Sequence, residues 1–247
     1  MTDTLSAQPR LDAVPGSTKR VLIIVPAWNE AESIGGVIAE IADALPFVHV
    51  LVVNDGSTDA TAKVARAAGA VALTLPYNLG VGGAMRLGYR YARDHDYDIA
   101  IQVDADGQHD PAYIPKLIDA LSGSSLVIGA RFAGEGQYAV RGPRKWAMAM
   151  LSWVLSKLAR TKLTDTTSGF RACDRDLIEL FAQWYPVEYL GDTVETLVRI
   201  LRLGYRVNQI PVAMRPRTTG TPSQSPLKAM LYLARAFFTL FLALARR

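Results

Sequence analysis

The stretch DIAIQVDADGQHD, residues 98–110, decides the fold. Its first part, DIAIQV (98–103), is an almost unbroken apolar run, the mark of a strand buried on both faces. Asp104, Asp106 and Asp110 then crowd together with Gln108 and His109, and Pro111 opens a helix running to about Ser122. Like charges so close cost energy unless a cation sits between them.

The same strand–loop–helix unit repeats to either side. VLIIV (21–25), VHVLVV (48–53), VALTL (71–75) and SLVIGA (125–130) read as further buried strands. Helices are expected over 31–45, from the NDGSTD turn (54–59) to Gly69, and from Gly82 to Asp94. Ser57, Thr58 or Asp59 can cap the second of these. Such alternation predicts an α/β protein with a mostly parallel, doubly wound sheet. Ligands bind such sheets beyond the carboxyl ends of the strands. Five polar segments are expected at that edge: Pro26–Glu30, Asn54–Asp59, Asn78–Gly83, Asp104–Asp110 and Arg131. Their convergence argues for one composite site.

Beyond Arg131 the pattern changes. WAMAMLSWVLSKLAR (146–160) is a helix apolar on most sides. Residues 164–181 read as a polar loop turning helical, 188–204 as a helix ending at Gly204, and 205–212 as a late strand. Residues 1–20 are polar, lack the apolar core of a signal peptide and read as a loose, disordered tail. The expected organisation is a catalytic domain over 21–215, then a linker and C-terminal helix over 216–247.

Charge and cysteine usage bound the function. The chain has 247 residues, enough for a sizeable core, and 27 Lys+Arg against 23 Asp+Glu, a net +4 too mild to imply nucleic acid. The basic residues are unevenly placed, however. Between Arg131 and Arg160 lie Arg141, Arg144, Lys145 and Lys157, with Glu135 the only acid, a pattern suited to phosphates or an anionic membrane. The single cysteine, Cys173, excludes an intramolecular disulfide and fits a reducing compartment.

Asp104 and Asp106, separated by one small residue, can serve a hard cation such as Mg²⁺ or Mn²⁺, which commonly keeps positions for substrate phosphates. An EF-hand fails because Pro115 stands where its last Glu would be. Zinc fails because His109 has no His or Cys partner nearby. Capping of the following helix accounts for Asp110 but not for Asp104 and Asp106. A cation bridging a diphosphate calls for a nucleotide, yet PAWNE follows the first strand where a dinucleotide-binding protein has glycines. The segment NLGVGG (78–83) does not match G-x-G-x-x-G, and no Walker sequence is present.

PAWNE, NDGSTD, DADGQH, GARF and DTTSGFR occur in this order over residues 21–212. Together they resemble the inverting family 2 glycosyltransferases of the GT-A fold. NLGVGGAMRLGYRYA, DGQHD and the later SQSPLKAM are similar to the polyprenyl-phosphate, or dolichol-phosphate type, sugar transferases of that family. This resemblance implies the GT-A nucleotide-diphospho-sugar transferase fold. It also implies metal-dependent transfer of a sugar from a nucleotide sugar to a polyprenyl phosphate, for cell-wall or polysaccharide decoration. It assigns Pro26, Ala27, Asn29, Glu30, Asp55, Asn78 and Gly82 to the nucleotide sugar. Trp28 stands where the family more usually has Tyr. Asp104, Asp106 and Gln108 would hold metal and diphosphate, and Arg131 would face phosphate. The implied donor nucleotide is UDP, with GDP the alternative. Glucose, mannose and the N-acetylhexosamines are all admissible sugars.

The implied attack is in line, with inversion. A phosphate acceptor needs no general base, because its second pKa is about 6. Asp192 and Glu195, three apart on a helix, are expected to position sugar or acceptor, with Glu188 close by in sequence. Arg141, Arg144 and Lys145, just before the apolar helix, are the expected acceptor-phosphate ligands. That helix is ~22 Å long, short of a ~30 Å hydrocarbon core. The C-terminal run 229–245 is also short and carries Arg235 in its middle. Both are therefore expected to lie in the interface, placing the protein peripherally on the inner face of the cell membrane. The resemblance also implies a small integral membrane partner at the C-terminal helix. Two competing readings keep the fold: transfer to a saccharide acceptor, and a catalytically silent nucleotide-sugar-binding subunit. The basic cluster argues against the first, and the intact Asp104, Asp106 and Arg131 against the second.

Overall fold

In this computed structural model the structure describes residues 19–131, 143–186 and 191–215. Within them β1 (Val21–Ala27), α1 (Ile34–Ala44), β2 (His49–Asn54), α2 (Thr61–Ala67), β3 (Val71–Thr74), α3 (Val81–Asp94) and β4 (Ile99–Gln102) alternate as the apolar pattern dictates. A short 3-10 turn at Pro111–Tyr113 leads into α4 (Ile114–Ala120), followed by β5 (Leu126–Ala130). Asp110 starts that turn, its carboxylate accepting from the Ala112 amide at 2.9 Å.

The seven strands, counting β6 (Arg171–Asp174) and β7 (Val207–Pro211), lie in the order β3-β2-β1-β4-β6-β5-β7. All are parallel except β6, which runs antiparallel to both β4 and β5. Ala27, Asn54 and Thr74 are in register, so β1, β2 and β3 release their loops at one level. Alternate residues of β1 feed two cores. Leu22 and Ile24 pack with Met85 and Tyr89 of α3, and with residues of α5 (Pro143–Ala159), α6 (Arg175–Gln183) and α7 (Thr196–Arg202). Val21, Ile23 and Val25 pack with Ile34, Ile38 and Ile41 of α1 and Leu117 of α4. Both faces are covered, so the strands tolerate no polar alternation.

Strand β6 departs from the sequence expectation of a loop turning helical. Its sequence, RACD, has neither β-branched residues nor alternation. It is a strand because it fills the gap between β4 and β5 and exchanges backbone hydrogen bonds on both sides, so tertiary pairing overrides local propensity. Beyond it, Asp174 caps α6 through the Leu177 amide at 3.1 Å. The helix expected over 188–204 opens instead with a π turn, Gly191–Glu195, before α7; residues 187–190, Glu188 among them, lie outside the described residues. Helix α5 starts three residues before the expected 146. Among the described residues no helix is long and apolar enough to cross a membrane. Residues 1–18 of the expected tail lie outside the described residues. Arg20 is held by Asp98, by the His95 carbonyl and over the Tyr97 ring.

Candidate active site

The loops at the carboxyl edge are stitched pairwise. Asn29 takes φ = 54°, a conformation asparagine tolerates. Its amide N–H donates to Ser57 Oγ at 2.9 Å, and its Oδ1 accepts from the Thr58 amide at 2.9 Å. The Glu30 amide donates to Thr61 Oγ1 and the Ala31 amide to Asp59. The first loop is thus bound to the second. Asp59 also accepts from the Thr61 amide at the start of α2, but the N-cap itself is Ala60 and not Ser57, Thr58 or Asp59 as expected.

Asp55 binds the second loop to the third. It is buried, and its two oxygens accept from the amides of Leu79 (2.7 Å) and Gly80 (2.8 Å). Burial pushes its carboxyl above the ordinary value, and these two bonds hold the shift back. The turn beside it needs Gly56: φ is +68°, and a Cβ there would lie 2.6 Å from the Tyr77 backbone. Asn78 closes its own loop by accepting from the Gly80 amide, and Gly82 is buried at the start of α3. Pro26 and Ala27 end β1, with Trp28 exposed beyond them.

The carboxylate loop after β4 is held at several points. The Asp104 amide donates to His109 Nδ1 at 3.0 Å, which places the neutral ring's proton on Nε2, 3.6 Å from Asp104 Oδ2. His109 is buried and stacked on Phe170. Asp106, 9% exposed, accepts from the Gln108 amide at 3.0 Å. The Gln108 side-chain amide donates to the Arg215 carbonyl at 3.3 Å. Asp104 also accepts from Gln102 Nε2 at 3.2 Å, and its side chain is 40% exposed. Because β6 is antiparallel, the segment before it returns to this same edge. A Cβ on Gly169 would lie 2.9 Å from Gln102 Nε2 and 3.1 Å from Asp104 Oδ1, so only glycine lets that segment approach Asp104.

Arg131 is engaged by that returning segment. Its guanidinium makes a fork to Asp165, with Nε to Oδ2 at 2.6 Å and Nη2 to Oδ1 at 3.0 Å, and also donates to Thr167 Oγ1. Asp165 is fully buried. Burial alone would raise its carboxyl, but the Arg131 fork outweighs it and holds it below the ordinary value. Buried Arg171 donates to the carbonyls of Ser168 (2.7 Å), Thr166 (3.0 Å) and Thr193 (3.3 Å), joining the returning segment to the π turn that contains Asp192.

The residues expected in the site from β1 to β5 thus lie at one edge, on its loops, at the end of β1 and at the start of α3. Arg144 and Lys145 lie in the first turn of α5 and Asp192 in the π turn, while Arg141 lies outside the described residues. The sequence reading gave no role to Asp165, Gly169, Arg171 or Arg215. An acid among hydroxyls in DTTSGFR was a signal for Asp165, but its partner is 34 residues away.

The donor set of the carboxylate loop is oxygen-rich. Two carboxylates and an amide suit a hard divalent cation that keeps positions for other ligands. Among the described residues no group of three or more His, Cys, Asp or Glu is placed to hold a metal by itself. Asp104, Asp106 and Gln108 therefore fit a cation shared with a bound anion.

A mostly parallel α/β sheet with ligand loops at one edge and a D-x-D loop after a central strand defines a glycosyltransferase of the GT-A fold. The chain belongs to glycosyl transferase family 2, which matches residues 22–181. It is 34% identical to undecaprenyl-phosphate mannosyltransferase of Micrococcus luteus, over 83% of this chain and 88% of that protein. It is 30% identical to polyprenol monophosphomannose synthase of Mycolicibacterium smegmatis, over 84% of this chain and 82% of that protein. A similar fold is found in glucosyl-3-phosphoglycerate synthase of Mycobacterium tuberculosis in complex with Mg²⁺ and UDP, at TM-score 0.68 and 24% identity over 91% of this chain and 79% of that one.

Proposed function

We propose that this glycosyltransferase moves a hexose from a nucleotide diphosphate sugar to a polyprenyl phosphate, inverting the anomeric carbon. The reading is carried by one conjunction. The D-x-D loop lies in a chain whose relatives, matched over most of their length, are named for mannose transfer to lipid phosphates. Mannose is therefore the first sugar to test, with GDP and UDP both offered as donor nucleotide.

Asp104, Asp106 and Gln108 would hold Mg²⁺ or Mn²⁺, which when bound would neutralise the departing diphosphate as a Lewis acid. The loops of Asn29, Glu30, Asp55 and Asn78 form the wall for the nucleoside, with Pro26, Ala27 and Gly82 at its base. Arg131, oriented by Asp165, presents positive charge to phosphate. The acceptor phosphate is itself the nucleophile, largely dianionic at neutral pH, so Asp192 positions it or the sugar and takes no proton. Arg141, Arg144 and Lys145 bind the acceptor phosphate.

A peripheral membrane location on the inner face fits the outer face of α5. Met150 and Trp153 are exposed there, with exposed Lys157 one turn further along the helix, an apolar and cationic stripe suited to a lipid surface. The C-terminal run 229–245, outside the described residues, is the proposed contact with lipid or with a small integral membrane partner.

The test incubates the purified protein with labelled GDP-mannose or a UDP-hexose, Mn²⁺ and undecaprenyl phosphate. A lipid-extractable product, lowered at least a hundredfold in Asp106→Ala, is expected. Transfer confined to water-soluble saccharides would replace the lipid acceptor, and nucleotide-sugar binding without turnover would replace the enzyme by a binding subunit.

A further inference from the structure

The segment after β7 is fastened to the carboxylate loop by a ladder rather than by side-chain packing alone. His109 and Met214 form an antiparallel bridge. The Arg215 amide donates to the Gln108 carbonyl at 3.0 Å, and the Gln108 side-chain amide donates back to the Arg215 carbonyl. This second bond fixes which end of the Gln108 amide points where. With Nε2 spent on Arg215, the oxygen Oε1 is directed away from it, and oxygen is the atom a hard cation can use. The Arg215 side chain in turn is clamped between Glu40 of α1 and Asp110, with the Asp110 contact at 3.1 Å. Arg215 is thus the point where α1, the start of the 3-10 turn before α4 and the carboxylate loop meet. These contacts hold its guanidinium cation above even its ordinary basicity, the Glu40 bond foremost.

We infer that Arg215 is a positioning residue for the divalent cation: its backbone orients Gln108, and its guanidinium, held by Glu40 and Asp110, keeps that backbone in place. The inference rests on the reading of Asp104, Asp106 and Gln108 as the cation site. Partners that orient metal ligands typically change affinity by about 10–100-fold when removed. Arg215 acts one step further out, through its own backbone, so about tenfold is expected. The Arg215 side chain is 41% exposed, so its removal leaves no buried hole.

Binding of Mn²⁺ is followed by electron paramagnetic resonance, with the ion alone and with UDP or GDP, for the full chain and for Arg215→Ala, Glu40→Ala, Arg215→Lys and the Arg215→Ala/Glu40→Ala double variant. Both alanine variants should weaken Mn²⁺ binding about tenfold, and the double variant no further, because the two residues act through one contact. Arg215→Lys should recover part of the affinity. In turnover assays the Mn²⁺ concentration for half activation should rise, with kcat at saturating Mn²⁺ nearly unchanged. Unaltered Mn²⁺ binding in Arg215→Ala would overturn the inference while leaving the cation site standing. So would weakening in Arg215→Ala without weakening in Glu40→Ala; if confined to the samples with UDP or GDP, that result would instead place the guanidinium on the diphosphate. Absence of Mn²⁺ binding by the unaltered chain, with either nucleotide, would remove the cation reading itself.

Discussion

The two halves of the sheet reach the same edge by different means. In the β3-β2-β1-β4 half, strands built on continuous apolar runs alternate with helices, and the loops are joined by hydroxyls, amides and backbone bonds such as those of Asn29 with Ser57 and Thr58. Its buried loop acid Asp55 accepts from two backbone amides. In the β6-β5-β7 half, the loops hang on buried charge: Arg131 on Asp165, and Arg171 on three carbonyls. Gln209 of β7 adds to this network, accepting from the Thr164 amide and donating to the Asp165 carbonyl. The first half is a scaffold that carries polar groups, whereas in the second the polar groups are the scaffold.

This contrast can be broken most forcefully at Asp165. Asp165→Ala leaves Arg131 without its fork and should cost about 3 kcal/mol in urea unfolding, the lower end for breaking a buried pair because Arg131 is partly exposed. Ser57→Ala in the other half, which removes the acceptor of the Asn29 amide, should cost about 1 kcal/mol, the value of an ordinary hydrogen bond. Equal losses would erase the distinction. Gly169→Ala probes the seam between the halves. The added methyl presses on Gln102 and on Asp104, the proposed cation ligand, so turnover should fall about tenfold, with the unfolding midpoint little changed.

The smallest effect is in acid, where the buried carboxylates of Asp55 and Asp165 have opposite signatures. Asp165 titrates lower when folded, so its contribution is complete above the unfolded carboxylate pKa of about 3.9 and is lost as pH falls through the folded value. Asp55 titrates higher when folded, so its ionised form costs stability above that folded value. The cost is relieved as pH falls towards about 3.9. Urea unfolding at stepped pH should show Asp55→Asn losing a gain above about pH 4, and Asp165→Asn losing a decline below it.

The halves also differ in how far they could be read from sequence. VLIIV, VHVLVV and DIAIQV announce strands because burial on both faces requires continuous apolar runs, although the ties between their loops, Asn29 to Ser57 and Asp55 to Leu79, join segments far apart in sequence. Strand β6 is silent by that measure, since RACD becomes a strand only through partners distant in sequence. The motifs placed Asp104, Asp106 and Arg131 at one edge. The fork from Asp165, the close approach of Gly169 and the clamp on Arg215 are contacts between segments that no local pattern connects.

The reversed strand also governs the order in which the chain can be assembled. As synthesis proceeds, β1 to β4 can pair with one another as soon as each emerges. Strand β5 has no neighbour until residues 171–174 and 207–211 have been made, because it pairs only with β6 and β7. A nascent chain ending near residue 165 therefore carries three open strand edges, one of β4 and both of β5, that only later segments can close. Co-translational folding of this protein is a wait for β6, and a chain stalled before it is the species most in need of a chaperone.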